Sequence, residues 1–285
     1  MAVAPRASGG LLRELRSSYA FIERNMNMIR RYWAWEVVWL VYSIVNALSI
    51  TFIGQAASSI TGEALPPEAV SYFTLYLMVG TLIWHYLSVI FDIVSEAIQW
   101  ERWEGTIEYT FMAPVSRVTH LLGQSLFAMI YGALHTVVIL AVVVVFFQID
   151  LAQAHFGSMM LMLFAGSLGF TGLGLMAAVL PLMWPEKGVQ MTNIIKALIL
   201  LVSGVYYPVS VLPEWLQIFS YISPATYMLE GIRAAMLEGA RPGDLLVPAL
   251  LPLLVTAALA IPLGLYVFGL AERHAKRVGI LKRNG

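Results

Sequence analysis

The chain has 285 residues, 59% of them hydrophobic and only 12% charged, with 17 Lys and Arg against 17 Asp and Glu and a mean hydropathy of +0.77. Soluble domains carry about a quarter charged residues, so this composition excludes an ordinary water-soluble fold, and a balanced charge gives no reason to expect a nucleic-acid partner. Without cysteine, the chain can form no disulfide, thiolate metal site or thiol nucleophile.

Residues 1–10 are small and polar, with no apolar run behind a basic start, so a flexible amino terminus is expected and a cleaved signal peptide is not. Over 11–33, Leu11, Leu15, Tyr19, Ile22, Met26 and Ile29 recur at spacings of three and four, with Arg13, Arg16, Arg24 and Arg30 between them. That pattern predicts an amphipathic helix lying on the inner membrane surface. A transmembrane domain follows over 34–271. A span needs about 20 apolar residues, and six segments qualify: 35–55, 72–94, 121–147, 158–180, 191–207 and 245–270. The fifth is short and carries Lys196. The sixth contains Pro248, Pro252 and Pro262, which a lipid-embedded helix tolerates when neighbours satisfy the freed carbonyls.

In this layout every Lys and Arg except Arg233 and Arg241 falls on one side, counting the basic tail at 272–285. The positive-inside bias therefore puts both termini and the 96–120 loop in the cytoplasm. On the other side, 208–244 is as apolar as a span but broken by Pro208, Pro213, Pro224 and Pro242. A pair of short re-entrant helices is the expected form. The predicted fold is an all-α integral membrane protein of six transmembrane helices. Tyr32, Trp33, Trp35, Trp184 and Trp215 suit the interfacial belts. Gly166, Gly169, Gly172 and Gly174 suit a close helix crossing.

The 96–120 loop contains Glu101-Arg102-Trp103-Glu104-Gly105-Thr106-Ile107-Glu108-Tyr109 and ends Pro114-Val115-Ser116-Arg117. On the far side, Ser203-Gly204-Val205-Tyr206-Tyr207-Pro208 precedes Leu212-Pro213-Glu214-Trp215-Leu216, then Ser223-Pro224-Ala225-Thr226-Tyr227 and Gly231-Ile232-Arg233. Both stretches, in this order and on opposite sides, resemble the type-2 ABC exporter permeases. The resemblance implies a pair of six-span subunits, each offering the loop as a coupling helix to a nucleotide-binding ATPase. Glu101, Glu104 and Glu108 would form an acidic face, with Trp103, Ile107 and Phe111 an apolar one. Gly105 would allow close backbone approach, and Thr106 and Pro114 complete the coupling set.

The sequence contains no G-x-x-x-x-G-K-[ST] phosphate loop. On this reading the chain is a transporter subunit without an ATPase site or cofactor of its own, and ATP and Mg belong to the partner ATPase. Expected partners are that ATPase, a second copy of the chain or a sister permease, and membrane lipids; the expected location is a prokaryotic plasma membrane.

Ionisable residues at membrane depth are candidates for a pathway or gate. Glu36, Asp92, Glu96 and Lys196 sit near the inner edge of their spans. Snorkelling or packing ion pairs are their first explanation; an inner gate between Lys196 and one of the acids is the second. His85 and His135 fall mid-span, where a hydrogen-bonded buried imidazole competes with proton coupling or substrate contact. No metal site is expected, because the ligands are too few. Glu230 and Arg233, three apart, can pair locally or close the exit, and Tyr206 and Tyr207 at the break join this set. An amphipathic small molecule is the expected cargo. A lipid-linked glycan or other lipid is the alternative, and a membrane-embedded enzyme is the reading from another class.

Overall fold

The computed structural model describes residues 11–149 and 151–280, which are 83% helical with no strand among them. Residues 1–10, Lys282 and Arg283 lie outside the described residues, as do the side chains of Leu11, Arg13 and Leu15. In chain order the elements are α1 (Leu11–Arg31), α2 (Trp33–Gln55), α3 (Ala57–Thr61), α4 (Pro67–Ser95), α5 (Ala97–Glu104), α6 (Ile107–Met112) and α7 (Arg117–Phe147). Then come α8 (Phe156–Ala177), α9 (Val179–Met183), α10 (Gly188–Val202), α11 (Glu214–Ile222), α12 (Pro224–Leu237) and α13 (Leu251–Val278), the last entered through a wide π turn at Leu246–Leu250.

Five helical stretches are long and apolar enough to cross a membrane: Trp33–Gln55, Pro67–Ser95, Arg117–Phe147, Phe156–Met183 and Leu246–Val278. The fifth predicted segment, 191–207, is a shorter helix of 15 residues, Gly188–Val202. At 1.5 Å per residue it covers about 22 Å, short of the ~30 Å hydrocarbon core. It ends early because the chain unwinds at Ser203-Gly204, where φ is +69°. The last helix runs eight residues past its predicted end, so the start of the expected tail is helical.

α4 and α8 form the centre of the bundle and α2, α7 and α13 its exposed rim, as their buried shares show: 67% and 61% against 17%, 17% and 22%. The glycines of α8 explain how α12 and α13 come so close. A Cβ on Gly166 would lie 2.1 Å from Met228 Sδ of α12, and one on Gly172 2.5 Å from Ala260 Cβ of α13. Larger side chains there would force the helices apart. Thus α12 is a core element, with Ala225, Met228, Leu229 and Ile232 fully buried.

α1 departs from a purely lipid-facing surface helix. Its small polar residues Ser18 and Asn25 are buried against α7, where Ser18 Oγ donates to the Thr119 carbonyl and Asn25 Nδ2 to Gln124 Oε1 at 2.7 Å. Tyr19 and Met26 stay exposed.

Candidate functional site

The loop predicted as one coupling helix is a hairpin of two short helices. Gly105, with φ +74°, caps α5 in the left-handed region that an L side chain enters only at a cost. The turn separates the residues expected to share faces. Glu101 is fully buried, Glu104 half-buried and Glu108 exposed, so no single acidic face forms. Ile107 is fully buried and Phe111 half-buried, leaving Trp103 alone of the expected apolar face exposed, at 65%. The outer surface of the hairpin instead carries Trp100, Trp103, Tyr109 and Met112, with Glu108 and Pro114 beside them. Thr106 is half-buried, and its Oγ1 donates to the Glu101 carbonyl.

The buried root of the hairpin is ionic. Arg24 of α1 lies 3.3 Å from Glu101 Oε1, and His120 Nε2 of α7 lies 3.0 Å from the same oxygen. A carboxylate withdrawn from water needs such partners, because desolvation of a charge costs several kcal/mol. Beside it, Arg102 is also fully buried and donates to the carbonyls of Pro181, Leu182 and Ile280. On the other arm, the Arg117 guanidinium lies 3.9 Å above the Phe111 ring, and its Nε bonds Glu272 of α13 at 3.1 Å. Sequence reading missed Arg24, Arg102, His120 and Glu272. Their charges look solvated in the one-dimensional pattern, and only the packing of α1, α9 and α13 onto the hairpin buries Arg102, His120 and Glu272 and half-buries Arg24.

Within the bundle, a cavity of about 310 Å³ opens between α2, α4, α7 and α10. Tyr42, Asn46, Trp84, His85, Ser88, Lys196 and Tyr206 are among its lining. Its wall mixes aromatic rings with amide, hydroxyl and imidazole groups, and His85 Nε2 and Ser88 Oγ are buried without a hydrogen-bond partner among the described residues. At this wall Lys196 Nζ holds both oxygens of Asp92 at 2.7 Å. Of the three acids considered for Lys196, the structure pairs it with Asp92.

Glu36 goes elsewhere: it accepts a hydrogen bond from Tyr131 and lies 3.9 Å from His135 Nε2. His135 in turn stacks on His85, ring centroids 6.4 Å apart. Glu96, one residue beyond α4, makes no ion pair among the described residues. Burial, with the Asp92 carboxylate adding and Lys196 opposing, pushes its carboxyl up to about 7.

The predicted Glu230–Arg233 pair does not form. Arg233 turns inward, donating to the carbonyls of Gly204 and Val205 at 2.9 and 2.6 Å, while its guanidinium lies 3.5 Å over the Tyr76 ring. It satisfies carbonyls that α10 leaves open where it unwinds, which a local carboxylate could not do. Tyr207 donates to the Leu201 carbonyl at 2.6 Å in the same break. No cluster of three His, Asp or Glu residues suited to a metal occurs among the described residues.

Five long apolar helices around a half-polar cavity, with an apolar-surfaced hairpin at the end where both terminal helices meet, are the build of a multi-pass membrane protein. The ABC-2 type transporter family matches residues 18–237, well over half of the chain, and the chain belongs to that family. It is therefore a permease component of an ABC transporter, of a kind that normally works with ATPase subunits and is not itself catalytic. No curated protein matches it significantly.

Proposed function

We propose that this chain is the membrane-spanning subunit of an ATP-driven exporter in a prokaryotic plasma membrane, with both termini and the α5–α6 hairpin in the cytoplasm. Two such subunits, identical or sister chains, form one pathway. A separate ATPase, holding ATP and Mg, pushes on the hairpin of each. The observation that carries this reading is the surface of that hairpin: Trp100, Trp103, Tyr109 and Met112 are 47%, 65%, 74% and 78% exposed on a rigidly rooted element. Clustered apolar side chains facing water call for a partner surface, and a short helix can seat them in a groove.

The cavity supports an amphipathic small molecule as cargo. Its volume suits a drug-sized ligand, its aromatic rings suit an apolar body, and its unpaired polar atoms suit a polar end. Export then needs only that two packings of the bundle differ by a few kcal/mol, a gap that ATP-driven closure of the partner can reverse.

To test the docking element, the tagged chain is purified from native membranes and the copurifying ATPase is measured. Replacing Trp103 and Met112 together with Ala is expected to lower ATPase recovery at least tenfold without loss of the folded chain. Undiminished recovery would remove the hairpin as the docking element.

A further inference from the structure

Arg102 is a fully buried cation without a carboxylate partner among the described residues. Its guanidinium is held by three main-chain oxygens: Pro181 at 2.5 Å, Leu182 at 2.8 Å and Ile280 at 3.2 Å. The first two belong to the end of α9 and the third to the turn that closes α13, positions where carbonyls lack an intrahelical donor and carry the negative end of the helix dipole. The sequence makes the vacancy at Pro181: the residue four positions on is Pro185, which has no N–H to donate. Arg102 supplies the missing donor from a different part of the chain.

The same two carbonyls sit on the elbow between α9 and α10. A Cβ on Gly188, the first residue of α10, would fall 2.3 Å from Pro181 Cα and 2.4 Å from its nitrogen. The backbones of the elbow are therefore in direct contact. α10 then carries Lys196 to Asp92 of α4 at the cavity wall.

The two members of that pair are thus tied to different points of the hairpin. Asp92 is one turn before its root at Glu96, whereas Lys196 is tied, through the elbow, to Arg102 six residues further along. Six residues of helix span about 9 Å. A rotation of the hairpin by about 10° about its root would displace Arg102 by about 1.6 Å relative to the end of α4, enough to break a 2.7 Å ion pair.

We propose that Arg102 is the positioning residue that transmits hairpin movement to the α9–α10 elbow and so to the Lys196–Asp92 pair. This rests on the exporter reading above.

The chain has no cysteine, so Ser88→Cys places a single thiol in the cavity wall. The complex with its ATPase is put into nanodiscs, and maleimide labelling is timed with and without ATP plus vanadate. With Arg102 present, the nucleotide is expected to change the labelling rate about tenfold, the size of a 1.4 kcal/mol shift between states. With Arg102→Met, the ATPase stays bound but the nucleotide effect falls below twofold. Arg102→Lys keeps the charge but loses the forked grip; it is expected to leave an intermediate effect, and it decides the matter if the Met variant does not fold.

A full nucleotide effect in either variant overturns the transmission role. So does loss of ATPase binding in Arg102→Lys, which would make Arg102 a docking residue. No nucleotide effect with Arg102 intact would instead sink the exporter reading, and this proposal with it.

Discussion

Removing Arg24 destabilises the protein more than removing the charge of Glu101, because the two sites leave behind different orphans. Arg24→Met strands a carboxylate that is fully buried, with, among the described residues, only His120 beside it and no hydrogen-bond partner for Oε2. Breaking a buried pair in this way costs about 3–5 kcal/mol. The Arg24 side chain is 30% exposed, so water already screens part of the attraction and about 3 kcal/mol is the expected loss. Glu101→Gln leaves no stranded charge: Arg24 turns to water, and the loss is that of a hydrogen bond, about 1 kcal/mol.

For a chain of this size those values correspond to falls in Tm of about 6–12 °C and 2–4 °C. The double variant is expected to lie close to Glu101→Gln, well short of the sum. Thiol-reactive dyes cannot report unfolding in a chain without cysteine, but its eight tryptophans can, so the assay is intrinsic fluorescence of the purified chain during heating in detergent. Equal single losses that add to within about 0.5 kcal/mol would refute a coupled buried cluster.

Other outcomes follow from the same geometry. Gly166→Leu is expected to lose the folded, monodisperse species in size-exclusion chromatography, since its Cβ alone would overlap Met228, whereas Gly269→Ala, with nothing within 4 Å, is silent. Gly105→Trp places an L residue at φ +74°, a cost of about 1–2 kcal/mol; the folded chain persists in detergent extracts but ATPase copurification is lost. Lys196→Met leaves Asp92 unpaired at membrane depth and lowers folded yield, and adding Asp92→Asn restores it. The Glu96 carboxyl titrates higher in the folded chain than in the unfolded one, so the folded state holds the extra proton. Stability is expected to fall as pH rises from about 4.5 to about 7 and then level off, and Glu96→Gln removes this slope in thermal unfolding followed against pH.

The spans were legible because lipid imposes a length and a composition that a sequence states directly, as in α2 and α7. The break after α10 was half legible. Gly204 and Pro208 announced an interruption, but the helix stops at Val202, before either: the chain turns at Gly204, and the Tyr207 and Ser220 hydroxyls take the carbonyls of Leu201 and Val202. The hairpin motif located the site without giving its faces. Helical spacing put Trp103, Ile107 and Phe111 together, and one positive-φ glycine between them sent Ile107 inward. Nothing local distinguishes buried Arg102 from a solvated arginine. Its burial depends on where α9 and α13 end, and that is information about the tertiary fold. The glycines of α8 went the other way: their spacing predicted close crossings, and Met228 and Ala260 occupy the space they leave.

In the proposed function an ATPase grips the α5–α6 hairpin to drive transport. A photo-crosslinking amino acid replacing Met112, 78% exposed at the end of α6, tests it in intact cells. Irradiation is expected to join the chain to a phosphate-loop ATPase, with the yield changed by trapping ATP turnover with vanadate. A hairpin that crosslinks to no ATPase, in a purified chain that by itself moves solute down an ion gradient, would contradict the account.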